Sequence, residues 1–228
     1  MLSLDSSGGT LSSPHLVRTH PASRKSGVAV LSPPSGVIFD LDGTLTEPLL
    51  DFGRIRREIG LAPGVPILEA LDGRGAEFRA HAEVILRRHE LEAIEAATLA
   101  DGCVDLLDHL SRLDIPTAIL TRNTHEAVEA FRRRFGFRFR AVHTREDGPP
   151  KPSPHGARRL CELLGLPPRR ILAVGDYKFD ILAARGAGCR TALVRHPPPD
   201  DPVDWGSPDL IVRSLRELLP LWPPVALG

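Results

Sequence analysis

Short apolar runs separated by stretches of helical periodicity constrain this 228-residue chain more than any other feature. The run Gly36-Val37-Ile38-Phe39 is the sharpest. Similar runs recur at 116–120, 171–174 and 191–194, and weaker ones at 139–142 and 209–212. A strand apolar on both faces of its pleat is covered on both sides, as in parallel sheets. Helical patterns fill the gaps at 104–113, 126–135, 155–164 and 181–185, with a last helix at 215–219. Strands alternating with helices form βαβ units. The expected fold is therefore α/β, a doubly wound, Rossmann-like parallel sheet.

One segment breaks the alternation. Residues 47–99 hold two helical patterns and no strand, and the second, 76–99, carries Phe78, Ala82, Ile85, Leu86, Leu91 and Ile94 as an apolar stripe. This predicts a small helical cap inserted after the first strand, with the core formed by 35–46 and 100–220 and a tail at 221–228. The position matters, because open α/β sheets bind ligands beyond the carboxyl ends of their strands.

Composition narrows the function classes. Lys plus Arg (29) balances Asp plus Glu (29), so no basic field suggests a nucleic-acid partner. Three dispersed cysteines without a C-x-x-C pair argue against a disulfide framework or a zinc site. No apolar stretch reaches the roughly 18–20 residues of a membrane span, so a soluble, cytoplasmic protein without a membrane partner is expected. Residues 1–34 are rich in Ser, Gly and Pro and poor in acids, and read as a disordered lead. A mitochondrial transit peptide and a plain tail both fit that stretch. The oligomeric state is not legible.

The chemistry stands at the strand ends. Asp40-Leu41-Asp42-Gly43-Thr44 follows the first run, and Thr121-Arg122-Asn123 the second. Lys151-Pro152 lies in the loop after 139–142, and Gly175-Asp176 follows 171–174, with Asp180 four residues on. In a doubly wound sheet these ends share one edge. Crowded carboxylates from Asp40, Asp42 and Asp176 repel one another and suit Mg²⁺, a hard cation that takes a few protein oxygens plus phosphate and water. Gly43 permits a tight turn that exposes backbone N–H groups to an anion. Thr121 supplies a hydroxyl donor and Lys151 a point charge for phosphate. The set suits phosphoryl transfer by positioning and charge neutralisation.

In this order and these contexts, the four motifs resemble those of the haloacid dehalogenase-like superfamily over residues 35–220, and the cap resembles that of phosphoglycolate phosphatase-like members, though shorter. The resemblance implies a phosphatase acting on a small phosphorylated metabolite. It casts Asp40 as nucleophile, Asp42 as general acid and base, and Lys151 as the bridge between nucleophile and phosphate. It gives Mg²⁺ to the Asp40 carboxylate, the Asp42 backbone carbonyl and Asp176. Thr121 and the Arg122 amide hold phosphate oxygens, Gly43 and Thr44 join them as substrate contacts, and Asp180 supports Lys151 or the metal waters. A phosphomutase and a non-catalytic phosphate binder are the alternatives. Asp42 argues against dehalogenation, and the absence of lysine from 47–99 argues against phosphonate cleavage by a Schiff base.

Other charged residues have bland readings beside sharp ones. Arg54, Arg56 and Arg57 are either the wet face of a helix or a grip for an anionic substrate tail, and Asp51 and Phe52 stand at the cap entrance. His81 and His89 are expected on a helix surface, and Arg132, Arg133 and Arg134 at a solvated helix end.

Overall fold

The computed structural model describes residues 32–194 and 205–223. Strands β1 (Gly36–Phe39), β2 (Thr117–Leu120), β3 (Ala141–His143), β4 (Ile171–Gly175), β5 (Arg190–Val194) and β6 (Leu210–Val212) form one sheet. Every pairing is parallel, and the order is β3-β2-β1-β4-β5-β6. The chain thus starts in the middle, builds outward on one side, and returns to the other side of β1. That reversal between β1 and β4 is where a doubly wound sheet opens a crevice.

Helices α1 (Phe52–Ile59), α2 (Ile67–Leu71) and α3 (Ala76–Ala96) follow β1, and α4 (Cys103–Arg112) precedes β2. Then come α5 (His125–Phe135), α6 (His155–Leu164) and α7 (Lys178–Ala187). The alternation of the pleat sorts the core. Val37 and Phe39 of β1 face a layer holding Leu106 of α4 and Phe131 of α5, while Ile38 faces Leu160 of α6 and Ala184 of α7. Val37, Ile38 and Phe39 are fully buried, each stabilising the fold by roughly 1.5–3 kcal/mol. A separate cluster of Ile55, Ile59, Ile67, Leu71, Ala82 and Leu86 holds α1, α2 and α3 together.

Several expectations shift. The segment 47–99 contains three helices rather than two. The extra one, α2, is five residues long, too short for a periodic signal. The β3 strand begins two residues later than its apolar run, because Phe139 turns in against Phe131, with ring centroids 6.4 Å apart. The closing helix is a 3-10 helix, Leu215–Leu221, with Pro220 inside it; proline has no N–H for an α-helical bond. His89, expected on the surface, is buried and meets Glu58 Oε2 at 3.0 Å. Arg134, expected at a solvated end, donates to the Ile94 and Ala97 carbonyls and so caps α3.

The expected lead lies outside the described residues up to 31, and the tail from 224. The portions within them are bonded to the core. The Ser32 carbonyl accepts from Arg190, and the Pro34 carbonyl accepts from Nε1 of the buried Trp222 at 2.7 Å. No helix among the described residues is long and apolar enough to cross a membrane.

Candidate active site

Each chemical motif begins where a strand ends. The Asp40 amide continues the sheet by donating to the Val174 carbonyl at 2.9 Å. The next residues turn sharply. The Leu41 carbonyl accepts from the Leu45 and Thr46 amides at 3.0 and 3.1 Å, and Gly43 adopts φ 85°. A Cβ on Gly43 would lie 2.5 Å from Asp176 Oδ2, so only glycine lets this loop press against the β4 end. Thr121 leaves β2 with its amide bonded to the His143 carbonyl and its hydroxyl accepting from the Asn123 amide.

Asp40, Asp42, Thr121, Arg122, Lys151, Asp176 and Asp180 all line one cavity of about 390 Å³ between the sheet edge and the helical insertion. Lys151 is buried, and its Nζ sits 2.5 Å from both Asp40 Oδ1 and Asp180 Oδ1. Burial pulls the Lys151 ammonium pKa down, but the Asp180 and Asp40 carboxylates outweigh it and hold the pKa above the ordinary lysine range. The acids move the other way. Burial, against the pull of Lys151, pushes Asp40 up to about 7. Burial pushes Asp42 up to about 6, and burial with the nearby Asp180 and Asp40 carboxylates pushes Asp176 up to about 8.

That strain is what a divalent metal relieves. Oxygens of Asp40, Asp176 and Asp180 lie within 4.8 Å of one another, an acidic cluster able to hold such an ion. Asp180 is the least free of the three. Its Oδ1 accepts from Lys151 and its Oδ2 from the Tyr177 amide at 2.9 Å. Asp40 and Asp176 therefore fit the metal better, and the Asp42 side chain lies outside the trio.

The structure distributes the other expected residues unevenly. Thr44 is fully buried, with its hydroxyl directed at Asp176 Oδ1 at 3.5 Å, so it braces Asp176 instead of lining the cavity. The Arg122 guanidinium is engaged elsewhere. It forms a two-bond pair with Glu69 of α2, both bonds 2.8 Å, donates to the Lys151 carbonyl, and stacks over Phe179. Asp51 caps α1 by accepting from the Arg54 amide, and Phe52 lines the cavity mouth. Of the three arginines on α1, Arg54 pairs with Glu58, Arg57 is exposed, and Arg56 lines the cavity.

Sequence reasoning missed Arg145. It is buried between Glu83 and Glu90 of α3, with one bond of 2.6 Å to Glu83, and it also donates to the Arg122 carbonyl at 3.0 Å. It ties α3 to the loop after β2. A lone arginine after a weak strand carries no local signal for this.

Comparisons with known proteins identify the family. The family model for haloacid dehalogenase-like hydrolases matches residues 34–188, and the chain belongs to that family and is a hydrolase of it. A haloacid dehalogenase-like hydrolase domain-containing protein of Arabidopsis thaliana is 30% identical over 199 residues, covering 80% of this chain and 81% of its own. N-acetylmuramic acid 6-phosphate phosphatase of Pseudomonas aeruginosa is 28% identical over 209 residues, covering 80% and 92%. A crystal structure of a Haemophilus somnus protein, described as a predicted phosphoglycolate phosphatase, superposes with TM-score 0.65 at 22% identity, covering 86% and 99%.

Proposed function

We propose that the protein is a Mg²⁺-dependent phosphatase that hydrolyses a small phosphomonoester through an aspartyl-phosphate on Asp40. One observation carries this reading: residues scattered from 40 to 180 meet in one cavity, with Asp40 paired to the buried Lys151 and Asp42 beside it. The phosphatase named among its relatives supports it.

In the first half, an Asp40 carboxylate oxygen attacks phosphorus and the bond to the ester oxygen breaks. The departing oxygen takes the proton of Asp42, whose pKa of about 6 leaves it able to give and regain a proton near neutrality. In the second half, Asp42 removes a proton from water as the water oxygen attacks the same phosphorus. The bond to Asp40 breaks, and inorganic phosphate leaves. Splitting one displacement into two lowers each barrier. Thr121 and the Arg122 amide hold the phosphoryl oxygens, and Lys151 neutralises charge on them. Mg²⁺, held by the Asp40 and Asp176 carboxylates and the Asp42 carbonyl, supplies further positive charge to those oxygens when bound.

The test is release of phosphate from p-nitrophenyl phosphate and a panel of phosphometabolites, with and without Mg²⁺, beside Asp40→Asn. Metal-dependent release that falls by at least about 10³-fold in the variant supports the reading. Well-folded, Mg²⁺-loaded protein that turns over no ester overturns it.

A further inference from the structure

We infer that Arg56 is the specificity residue of this site, and that the substrate is a phosphomonoester carrying a second anionic group, a carboxylate or another phosphate, on its alcohol. The inference rests on the phosphatase reading and deepens it.

The insertion's side of the cavity is almost wholly apolar, with walls from Leu50, Ile55, Ile67 and Leu86. Only two charged side chains of the insertion reach it, Arg56 and Glu90. Glu90 is already used: it pairs with the buried Arg145 and accepts from the amide and hydroxyl of Thr124. The cations on the core side are used as well. Lys151 is held between Asp40 and Asp180, and Arg122 by Glu69.

Arg56 differs from all of these. Its Nε donates to the Val65 carbonyl at 2.7 Å, which fixes the plane of the guanidinium, and among the described residues it meets no carboxylate. Its neighbours on the same helix do not share the position: Arg54 has Glu58, and Arg57 faces outward. A half-buried guanidinium has five donors and no acceptor, so its free edge calls for an anion. The surrounding apolar wall raises the value of that contact by excluding water. On the phosphatase reading the phosphoryl end is bound by Thr121 and Lys151, which line the same cavity from the core. An ester held there thus has a core cation, Lys151, an insertion cation, Arg56, and apolar side chains lining the same space. At about 390 Å³ the space is near the small end for ligand pockets, which suits a short spacer.

The test compares each variant with wild type on each substrate, so that the ester's own reactivity cancels. Full-length Mg²⁺-loaded protein is assayed on phosphoglycolate beside ethyl phosphate, and on propane-1,3-diol bisphosphate beside propyl phosphate. Wild type is expected to favour one or both charged esters. Arg56→Gln is expected to lower kcat/KM on the favoured ester by roughly 10- to 100-fold, the value of a hydrogen bond to a charged group. It should leave the neutral esters within about twofold, as expected when no contact is removed. Arg56→Lys keeps the charge and should recover part of the loss. The carboxylate and bisphosphate arms tell which anion is read.

Equal losses on all four esters would overturn the inference, because Arg56 would then serve the transferred phosphate or merely hold the Val65 loop. So would a wild type that prefers the neutral esters, although the phosphatase reading would survive that result. No turnover of any of the four would remove both.

Discussion

The carboxylate of Asp180 holds the Lys151 ammonium at 2.5 Å with one oxygen and the Tyr177 amide at 2.9 Å with the other. A helix-capping residue and a site residue are therefore the same side chain. Its place at the third position of α7 fixes where that helix begins, and its second oxygen fixes where the lysine points.

Asp180→Asn separates the two duties. The amide oxygen can still accept from Tyr177, while Lys151 loses one of its two carboxylates. Turnover should fall roughly 10- to 100-fold through the lost charge-assisted bond, with little change in melting temperature. Asp180→Ala removes the cap as well and should cost about 1 kcal/mol more in stability. Full activity in Asp180→Asn would mean that Asp40 alone holds Lys151.

Stability should depend on pH and metal together. Without a metal, burial pushes the Asp42, Asp40 and Asp176 carboxyls up from 3.8 to about 6, about 7 and about 8. Raised carboxyl pKa values make the folded state bind protons more tightly than the unfolded chain. The stability they contribute is full below about 3.8 and is lost as pH rises through about 6 to 8. Mg²⁺ competes with those protons, so its gain in melting temperature should grow across the same interval. Thermal melts with and without Mg²⁺ check this, and a metal shift that shrinks toward alkaline pH would contradict it.

Gly43→Ala should disable the site while sparing the core. The added methyl would meet Asp176 Oδ2 at 2.5 Å, and the φ of 85° disfavours any side chain. A displacement of this kind near the reacting atoms costs on the order of 100-fold in turnover. The Mg²⁺-dependent shift in melting temperature should shrink with it, since Asp176 is the residue displaced.

Arg145→Met should unfold the junction between α3 and the sheet edge. It leaves Glu90 buried against Thr124 without its cation, at a cost of about 3–5 kcal/mol in urea unfolding. Adding Glu90→Gln removes the orphaned charge and should restore most of the loss. If the double variant is no better than the single one, the packing of Arg145 matters more than its pairing.

The strands and the motifs at their ends were legible because both are local. An apolar run such as 36–39 announces a covered strand, and a carboxylate directly after it is carried to the sheet's edge by the fold itself. What was not legible depends on partners distant in sequence. His89 has the composition of a surface position and is buried because Glu58, 31 residues earlier, packs against it. The three arginines of α1 are indistinguishable in the sequence, and only the phase of the helix and the Val65 carbonyl single out Arg56. Arg145 meets Glu90 across 55 residues and Arg122 meets Glu69 across 53. Helix α2, preceded by Gly64 and Pro66, is too short for its period to show.

The central place of β1 bears on how the protein is made. The strand that leads into Asp40 is translated early, but its neighbour β4 arrives more than 130 residues later, and Asp176 and Asp180 follow it. A nascent chain halted at Arg170 carries Asp40 without Asp176 or the Asp180 carboxylate that holds Lys151. On the proposed reading, a fragment that ends there lacks half of the site, and competence waits for β4 and α7 to close against β1.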